Sequence, residues 1–298
     1  MGLCLAGIGG ELFVRGTEGL ARWWRIPSGV VAATLAAFAT SSPELSVSVN
    51  AALAGGPQIA LGDALGSNVV NIALILAIAL LLTEVRSSQV GLSRDYLFAL
   101  SAPLVTGVLA VDGTITRLDA MVMFGLFAAW MALSAVETRR YRRGQVPEDG
   151  SVNKFGIILT AMAGLGFLLI AGNLIVNGAS GIAQALGIQA FVIGAVIVAI
   201  GTSVPELATV VIAGLRGKYE IGLGTVLGSN IFNGLFVVPV AASILPIEIR
   251  LQDIALTLAV GIASIALARP GTDGRIARIR AIPLILLYAA YIAAMLFG

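Results

Sequence analysis

The sequence predicts an all-α, polytopic membrane protein of ten transmembrane helices, arranged as two inverted five-helix repeats. Three observations predict it: the composition, the spacing of apolar segments together with the placement of Lys and Arg, and an internal duplication.

Of 298 residues, 58% are hydrophobic and 11% are charged, and the mean hydropathy is +0.99. A soluble chain carries about 25% charged residues, so this one belongs in a bilayer. Cys4 has no second cysteine to pair with, and histidine is absent, which excludes a Cys/His metal site. The opening MGLCLAGIGG has no charged n-region, so a cleaved signal peptide is not expected. A net charge of +2 gives no reason to expect nucleic acid.

Apolar segments between charged or turn residues fall at 1–22, 28–54, 58–82, 93–111, 116–138, 153–184, 188–215, 220–245, 251–269 and 277–297. Each is long enough for ~30 Å of hydrocarbon at 1.5 Å per residue. The longest connection is ETRRYRRGQVPEDGSVNK, Glu137 to Lys154. The expected division is a first repeat at 1–138, a cytoplasmic linker at 139–152 and a second repeat at 153–298. All Lys and Arg except Arg15, Arg117 and Arg250 fall on the odd-numbered connections. The positive-inside rule makes that side cytoplasmic and puts both termini outside, in a multi-pass protein of the cell membrane. The RRYRR run also suits an anionic lipid surface.

ATSSPEL, Ala39 to Leu45, returns 162 residues later as GTSVPEL, Gly201 to Leu207. GDALGSNVVN, Gly62 to Asn71, returns as GTVLGSNIFN, Gly224 to Asn233. From Thr40 to Asn71, 17 of 32 positions equal their partners. The register reaches back to Gly10, Leu12, Val14 and Gly16 against Gly172, Leu174, Val176 and Gly178. Identities at Thr, Ser, Pro, Glu and Asn mark a duplication rather than shared low complexity. Five spans per half is an odd number, so the second half enters from the opposite face. Inverted repeats of this kind place the binding site of secondary transporters near the midplane; channels are also built this way.

The polar residues at depth define the candidate site. Glu44 and Glu206 lie mid-span, where a charge costs roughly 2.5–3.5 kcal/mol or more. Pro43 and Pro205 remove an N–H each, so the carbonyls of Ala39 and Gly201 lose their partners, and the neighbouring carbonyls 37–40 and 199–202 are expected to splay. Carbonyls beside carboxylates are what hard cations prefer. Ser67 and Asn71 are four apart, as are Ser229 and Asn233, so each pair shares a helical face. Gly62/Gly66 and Gly224/Gly228 are small-xxx-small pairs for close helix approach. With no Lys, Arg or His at the centre, the site is read as a cation site made of oxygen. Taken singly, a proline is an ordinary kink, a serine bonds its own backbone, and an asparagine is interhelical glue. Their joint recurrence in both halves is what carries the reading.

Two features stand apart. Asp63 faces Thr225 in the repeat and is read either as an external vestibule residue that attracts cations or as a charge favoured by a helix N-terminus. Glu11, Arg15 and Glu18 are spaced as an intrahelical ion-pair ladder, or as the wall of a watered cleft.

On TSSPEL, TSVPEL, GSNVVN and GSNIFN and the repeat that carries them, the chain resembles the cation/calcium antiporter superfamily and, within it, the sodium/calcium exchangers. The resemblance implies that Glu44 and Glu206 bind Ca2+, with the carbonyls of Thr40 and Thr202 completing that site. It implies Na+ ligands at Ser41, Ser203, Ser67 and Ser229 with the carbonyls of Ala37 and Ala199, and central amides at Asn71 and Asn233. It also implies that spans 1 and 6 slide across the other eight. Potassium-dependent relatives carry aspartate where this chain has Asn233, which argues against potassium co-transport. The proton/calcium branch carries a histidine-containing motif that this chain lacks, which favours Na+ over H+ as counter-ion.

The expected activity is therefore exchange of Ca2+ for Na+ by alternating access, with no enzyme chemistry, no cofactor and no protein partner beyond the lipid bilayer. The alternative on the same fold is a proton/calcium or other divalent antiporter. A cation channel is a more distant rival, and a membrane hydrolase lacks the histidine its usual arrangements need.

Overall fold

In the computed structural model, residues 2–82, 85–86, 92–143, 153–185, 193–271 and 273–297 are described. The described residues form ten helical spans. The first half holds α1 (Gly2–Trp24), α2 (α2a Ser28–Thr40, then α2b Ser42–Leu53), α3 (Pro57–Leu82), α4 (Leu92–Leu109) and α5 (Arg117–Arg143). The second holds α6 (Lys154–Ala185), α7 (α7a 193–202, then α7b Val204–Leu215), α8 (Tyr219–Ile244), α9 (Leu251–Leu267) and α10 (Ala281–Phe297).

By length and apolarity alone, α3, α5, α8 and α10 qualify as crossings among the described residues, and the two pieces of α2 make a fifth, bent by 41°. Of the other five, α1 carries Glu11, Arg15, Glu18 and Arg22, α7 is broken, and α9 is short. The outer faces of α4, α5, α6 and α10 present Leu97, Val108, Met121, Phe155, Leu159 and Leu286 to the surroundings. Bare aliphatic surface of this extent is stable only against lipid.

Helix α5 runs on through RRYRR to Arg143, so the basic run expected to open the linker is helical. Residues 144–152 of that linker and 188–192 of the expected seventh span lie outside the described residues. So do the side chains of 171–185, on which the Gly172 to Gly178 register falls.

Four two-residue strands record the inversion. β1 (Val85–Arg86) pairs antiparallel with β4 (Arg275–Ile276), and β2 (Thr114–Ile115) with β3 (Ile247–Glu248). β1 and β3 are 162 residues apart, as the repeat demands. Yet the β1–β4 ladder joins connections 3–4 and 9–10, while β2–β3 joins 4–5 and 8–9. The two ladders therefore cap opposite faces of the bundle, as two halves related by an axis in the membrane plane require.

The halves interlock rather than sit side by side. A Cβ on Gly66 of α3 would lie 2.2 Å from the Ala195 carbonyl oxygen of α7a. A Cβ on its repeat partner Gly228 of α8 would lie 2.1 Å from the Ala33 carbonyl oxygen of α2a. These two glycines, and no residue with a side chain, let α3 meet α7 and α8 meet α2 backbone to backbone. Outside this core α1 packs along α6, with Gly16 against Ala161 and Gly164 against Phe13.

Helices α2a, α3, α7a and α8 each contain a widened π-helical stretch: Ala32–Ala36, Val70–Leu76, Ile193–Val198 and Asn233–Val237. Such turns cluster at functional sites because they rotate the following side chains out of register. Here they lie within all four helices that carry the polar motifs.

Candidate cation-binding centre

The prolines do not kink continuous helices; they start new ones. Ser41 and Ser203 leave helical geometry, at φ −86°, ψ 12° and φ −80°, ψ 8°. Pro43 and Pro205 then occupy the first turn of α2b and α7b, where the missing N–H costs nothing. Glu44 and Glu206 follow in the same first turns, where the helix dipole favours a carboxylate.

Of the carbonyls expected to splay, three are engaged close to home. The Ala39 carbonyl accepts the Ser42 hydroxyl at 2.6 Å. The Ala37 carbonyl accepts the Ser41 N–H at 2.9 Å and the Thr40 hydroxyl at 3.3 Å. The Ala199 carbonyl accepts the Ser203 N–H at 3.1 Å. The break ends the upstream helices at Thr40 and Thr202, and the carbonyls of a last helical turn have no partner further along their own helix. A carbonyl oxygen with a second lone pair can still face an ion.

Ser41-Ser-Pro-Glu44 and Ser203-Val-Pro-Glu206 have the spacing of a capping box, in which the serine would cap its own helix. Neither does. Instead the serines cross over. The Ser41 hydroxyl donates to Glu206 Oε1 at 2.9 Å, and the Ser203 hydroxyl lies 3.5 Å from Glu44 Oε1. Each broken helix thus offers its hydroxyl to the carboxylate of the other half, which brings the two glutamates to one place. Both are fully buried.

The centre is not symmetric. Glu206 Oε1 takes a second hydroxyl, Ser229, at 3.0 Å. The repeat partner Ser67 does not reach Glu44; its Oγ lies 3.4 Å from the Thr202 Oγ1. Thr202 in turn lies 3.2 Å from Asp63 Oδ1. Asp63 is fully buried and well inside α3. It is therefore neither a vestibule residue nor a helix-terminal charge: the backbone approach at Gly66 brings α7a over it.

Among the described residues, Glu44 Oε2, Glu206 Oε2, Asp63 Oδ2, Asn71 Oδ1 and both side-chain atoms of Asn233 are buried without a hydrogen-bond partner. Buried oxygens left open at this density are costly unless something fills them. No group of three or more acidic, Cys or His side chains among the described residues is close enough to hold a metal alone. Neutral oxygens have to complete any ion's shell, and ten of the twelve expected positions carry neutral oxygens, on four helices.

Two residues escaped notice in the sequence. Asn68 and Asn230 are repeat partners that clasp each other's backbone: each side-chain amide donates to the other's carbonyl at 3.1 Å. Asn230 Oδ1 also accepts from the Asn71 amide at 3.0 Å. The signal was present, because both asparagines belong to the repeated GSN triplet. The expected ladder in α1 is only partly intrahelical. Glu11 pairs with Arg15 at 2.7 Å but also with Arg216 at 3.6 Å, and Glu18 pairs with Lys218 at 3.2 Å.

A sequence profile described as "Sodium/calcium exchanger protein" matches residues 1–136 and 156–297 of the chain. The chain belongs to the sodium/calcium exchanger family. The putative antiporter CaxA of Alkalimonas amylolytica is 32% identical over 83% of this exchanger and 79% of its own length. The sodium/calcium exchanger MaX1 of Methanosarcina acetivorans is 26% identical over 100% and 97%. Among solved structures, the sodium-calcium exchanger NCX_Mj soaked with Na+ and Sr2+ superposes with a TM-score of 0.83, at 28% identity over 99% of this chain and 96% of that one. The exchanger is thus an all-α membrane transporter with ten helices in two inverted repeats.

Proposed function

We propose that the chain exchanges Ca2+ for Na+ across the cell membrane, with Glu44 and Glu206 as the shared ion-holding pair. The observation that carries this is the crossed capping: Ser41 serves Glu206 and Ser203 serves Glu44, so neither half makes a centre without the other. The unpaired Oε2 atoms of both glutamates supply the charged ligands for Ca2+. The carbonyls of Thr40 and Thr202 complete that shell. Ser41, Ser67, Ser203 and Ser229, with the carbonyls of Ala37 and Ala199, hold Na+ on either side, and the Asn71 and Asn233 amides close the middle.

The chemistry of exchange follows from the charge. An empty pair of buried carboxylates cannot cross an apolar barrier, whereas a pair neutralised by one Ca2+ or by Na+ can reorient. Because the two cation loads use overlapping oxygens, one set leaves before the other binds. The Lys and Arg distribution puts the termini outside.

The test is Na+-gradient-driven 45Ca2+ uptake into proteoliposomes. Glu44→Gln and Glu206→Gln each abolish uptake on this reading; normal uptake in either removes its basis. Uptake in the parent chain that follows a proton gradient and ignores Na+ assigns the counter-ion differently.

A further inference from the structure

The repeat breaks its own symmetry beyond the two glutamates. In α2b, Ser42, Ser46 and Asn50 stand four apart and form one polar stripe, of which Ser46 and Asn50 are exposed. Their repeat partners in α7b are Val204, Ala208 and Ile212, an apolar stripe that is buried or half-buried. Helix α1 covers it. Leu5 joins one apolar cluster with Val204 and Ala208, and Val14 joins another with Ile212. A Cβ on Gly10 would lie 3.0 Å from the Ala208 carbonyl oxygen and 3.1 Å from the Ile212 side chain. The half of the bundle beyond Glu206 is therefore sealed, while the half beyond Glu44 shows polar side chains to the surroundings.

Charge fastens the sealed side. Glu11 of α1 pairs with Arg216 at 3.6 Å, and Glu18 with Lys218 at 3.2 Å. The facing atoms Glu18 Oε1 and Arg216 Nη1 are buried and make no hydrogen bond, so the ion pair is what compensates them. Arg216 and Lys218 flank Gly217, whose φ of +67° turns the chain from α7 into α8. The same turn recurs in the first half as Ala54-Gly55-Gly56, with Gly55 at φ +85°, and carries no charge. Glu11 and Glu18 likewise correspond to Asn173 and Ser180 in the second half. The backbone turn is duplicated, but the charges on it and on the helix opposite are not.

We propose that Glu11–Arg216 and Glu18–Lys218 latch α1 over the cytoplasmic mouth of the centre, so that the exchanger rests open to the outside and breaks both pairs each time it opens inward. Antiport requires the centre to meet the two sides in turn, and inverted repeats do this by rocking one part of the bundle against another around a fixed site. The mirror of the present arrangement closes α6 over the α2b stripe, where Ala54 and Gly56 offer no charge to hold it. The two states are therefore unequal in energy, and the inequality resides in four side chains outside the oxygen cluster. This deepens the exchange reading and rests on it for the cycle, though not for the resting state.

The test uses the full-length protein in oriented vesicles, with Cys4→Ser removing the one native cysteine. Ala208→Cys reports on the inner mouth and Ser46→Cys on the outer one, each by its rate of reaction with a membrane-impermeant maleimide added to one face. In the parent background Ser46→Cys reacts promptly from outside and Ala208→Cys slowly from inside. Glu11→Gln combined with Glu18→Gln speeds the Ala208→Cys reaction about two- to thirtyfold, the span expected of two partly exposed pairs. Raising choline chloride on the inner face gives part of that gain in the parent and none in the neutralised variant. Lys218→Glu speeds the reaction too, and adding Glu18→Lys returns it toward the parent rate, which a general loosening of the helix would not do. The proposal is overturned by equal Ala208→Cys rates in parent and neutralised protein, or by no return on exchanging the charges. A Ser46→Cys that stays unreactive, as a lipid-facing thiol does, overturns it as well. Labelling needs no flux, so an absence of Na+-driven Ca2+ uptake counts against the exchange reading alone and leaves the latch decided by its own result.

Discussion

Gly228→Ala places one methyl group at the seam between the two halves. An ideal Cβ there sits 2.1 Å from the Ala33 carbonyl oxygen and 2.6 Å from the Ala33 Cα, both rigid backbone. Ordinary contact begins near 3.4 Å, so α8 and α2a have to part by about 1.3 Å. Functional constellations tolerate ~0.5 Å. The next residue, Ser229, is the one that donates to Glu206 at 3.0 Å, and Ser41 at the end of α2a donates to the same oxygen at 2.9 Å. Parting the helices pulls both donors from that carboxylate. The expected cost is at the upper end of overpacking, about 3 kcal/mol, with Na+-driven Ca2+ uptake down roughly tenfold or more. Gly125→Ala on the exposed side of α5 is the matched control: its Cβ meets nothing within 4 Å. Helix propensity there makes alanine slightly stabilising, by about 0.5–1 kcal/mol. Uptake and melting are measured on both variants in parallel. If Gly228→Ala transports as fast as Gly125→Ala, the backbone seam does not set the geometry of the centre, and the reasoning fails.

The amide clasp is tested by Asn68→Ala and Asn230→Ala. Each removes one side-chain hydrogen bond to a buried carbonyl, at about 0.5–1.5 kcal/mol, and Asn230→Ala also orphans the Asn71 amide and is the more damaging of the two. The double variant costs less than the sum, because the two bonds belong to one reciprocal unit; strict additivity speaks against the clasp. The asymmetry of the centre is tested by serine-to-alanine changes read as Ca2+ half-saturation: Ser41→Ala and Ser229→Ala weaken Ca2+ more than Ser203→Ala does, because Ser203 stands 3.5 Å from its carboxylate while the others stand at 2.9 and 3.0 Å. Equal effects from all three mean that the two glutamates are equivalent.

Much of the molecule is legible in the linear chain. Apolar run lengths reflect a bilayer thickness, and the helix ends follow within a few residues. Serine, proline and glutamate repeated at a constant offset reveal both the duplication and its polar centre. The proline was harder to read. It suits a kink within a span, yet Ser-x-Pro-Glu is also a helix start, and that pattern places the break at Ser41 and Ser203. The surroundings of Asp63 are not legible in the chain, because depth along one helix does not tell which neighbour covers it.

What the amino acids determine by themselves is local and additive: which segments prefer lipid, which turn cannot continue, which face of each helix is polar, and, from an odd number of crossings, that the halves are inverted. What the tertiary structure decides is who meets whom. The approach of α3 to α7 at Gly66 and of α8 to α2 at Gly228 sends each serine to the opposite glutamate, joins Asn68 to Asn230, and slides Thr202 over Asp63. Helical periodicity assigns a side chain to a direction, but only packing between segments 162 residues apart supplies the atom that waits there.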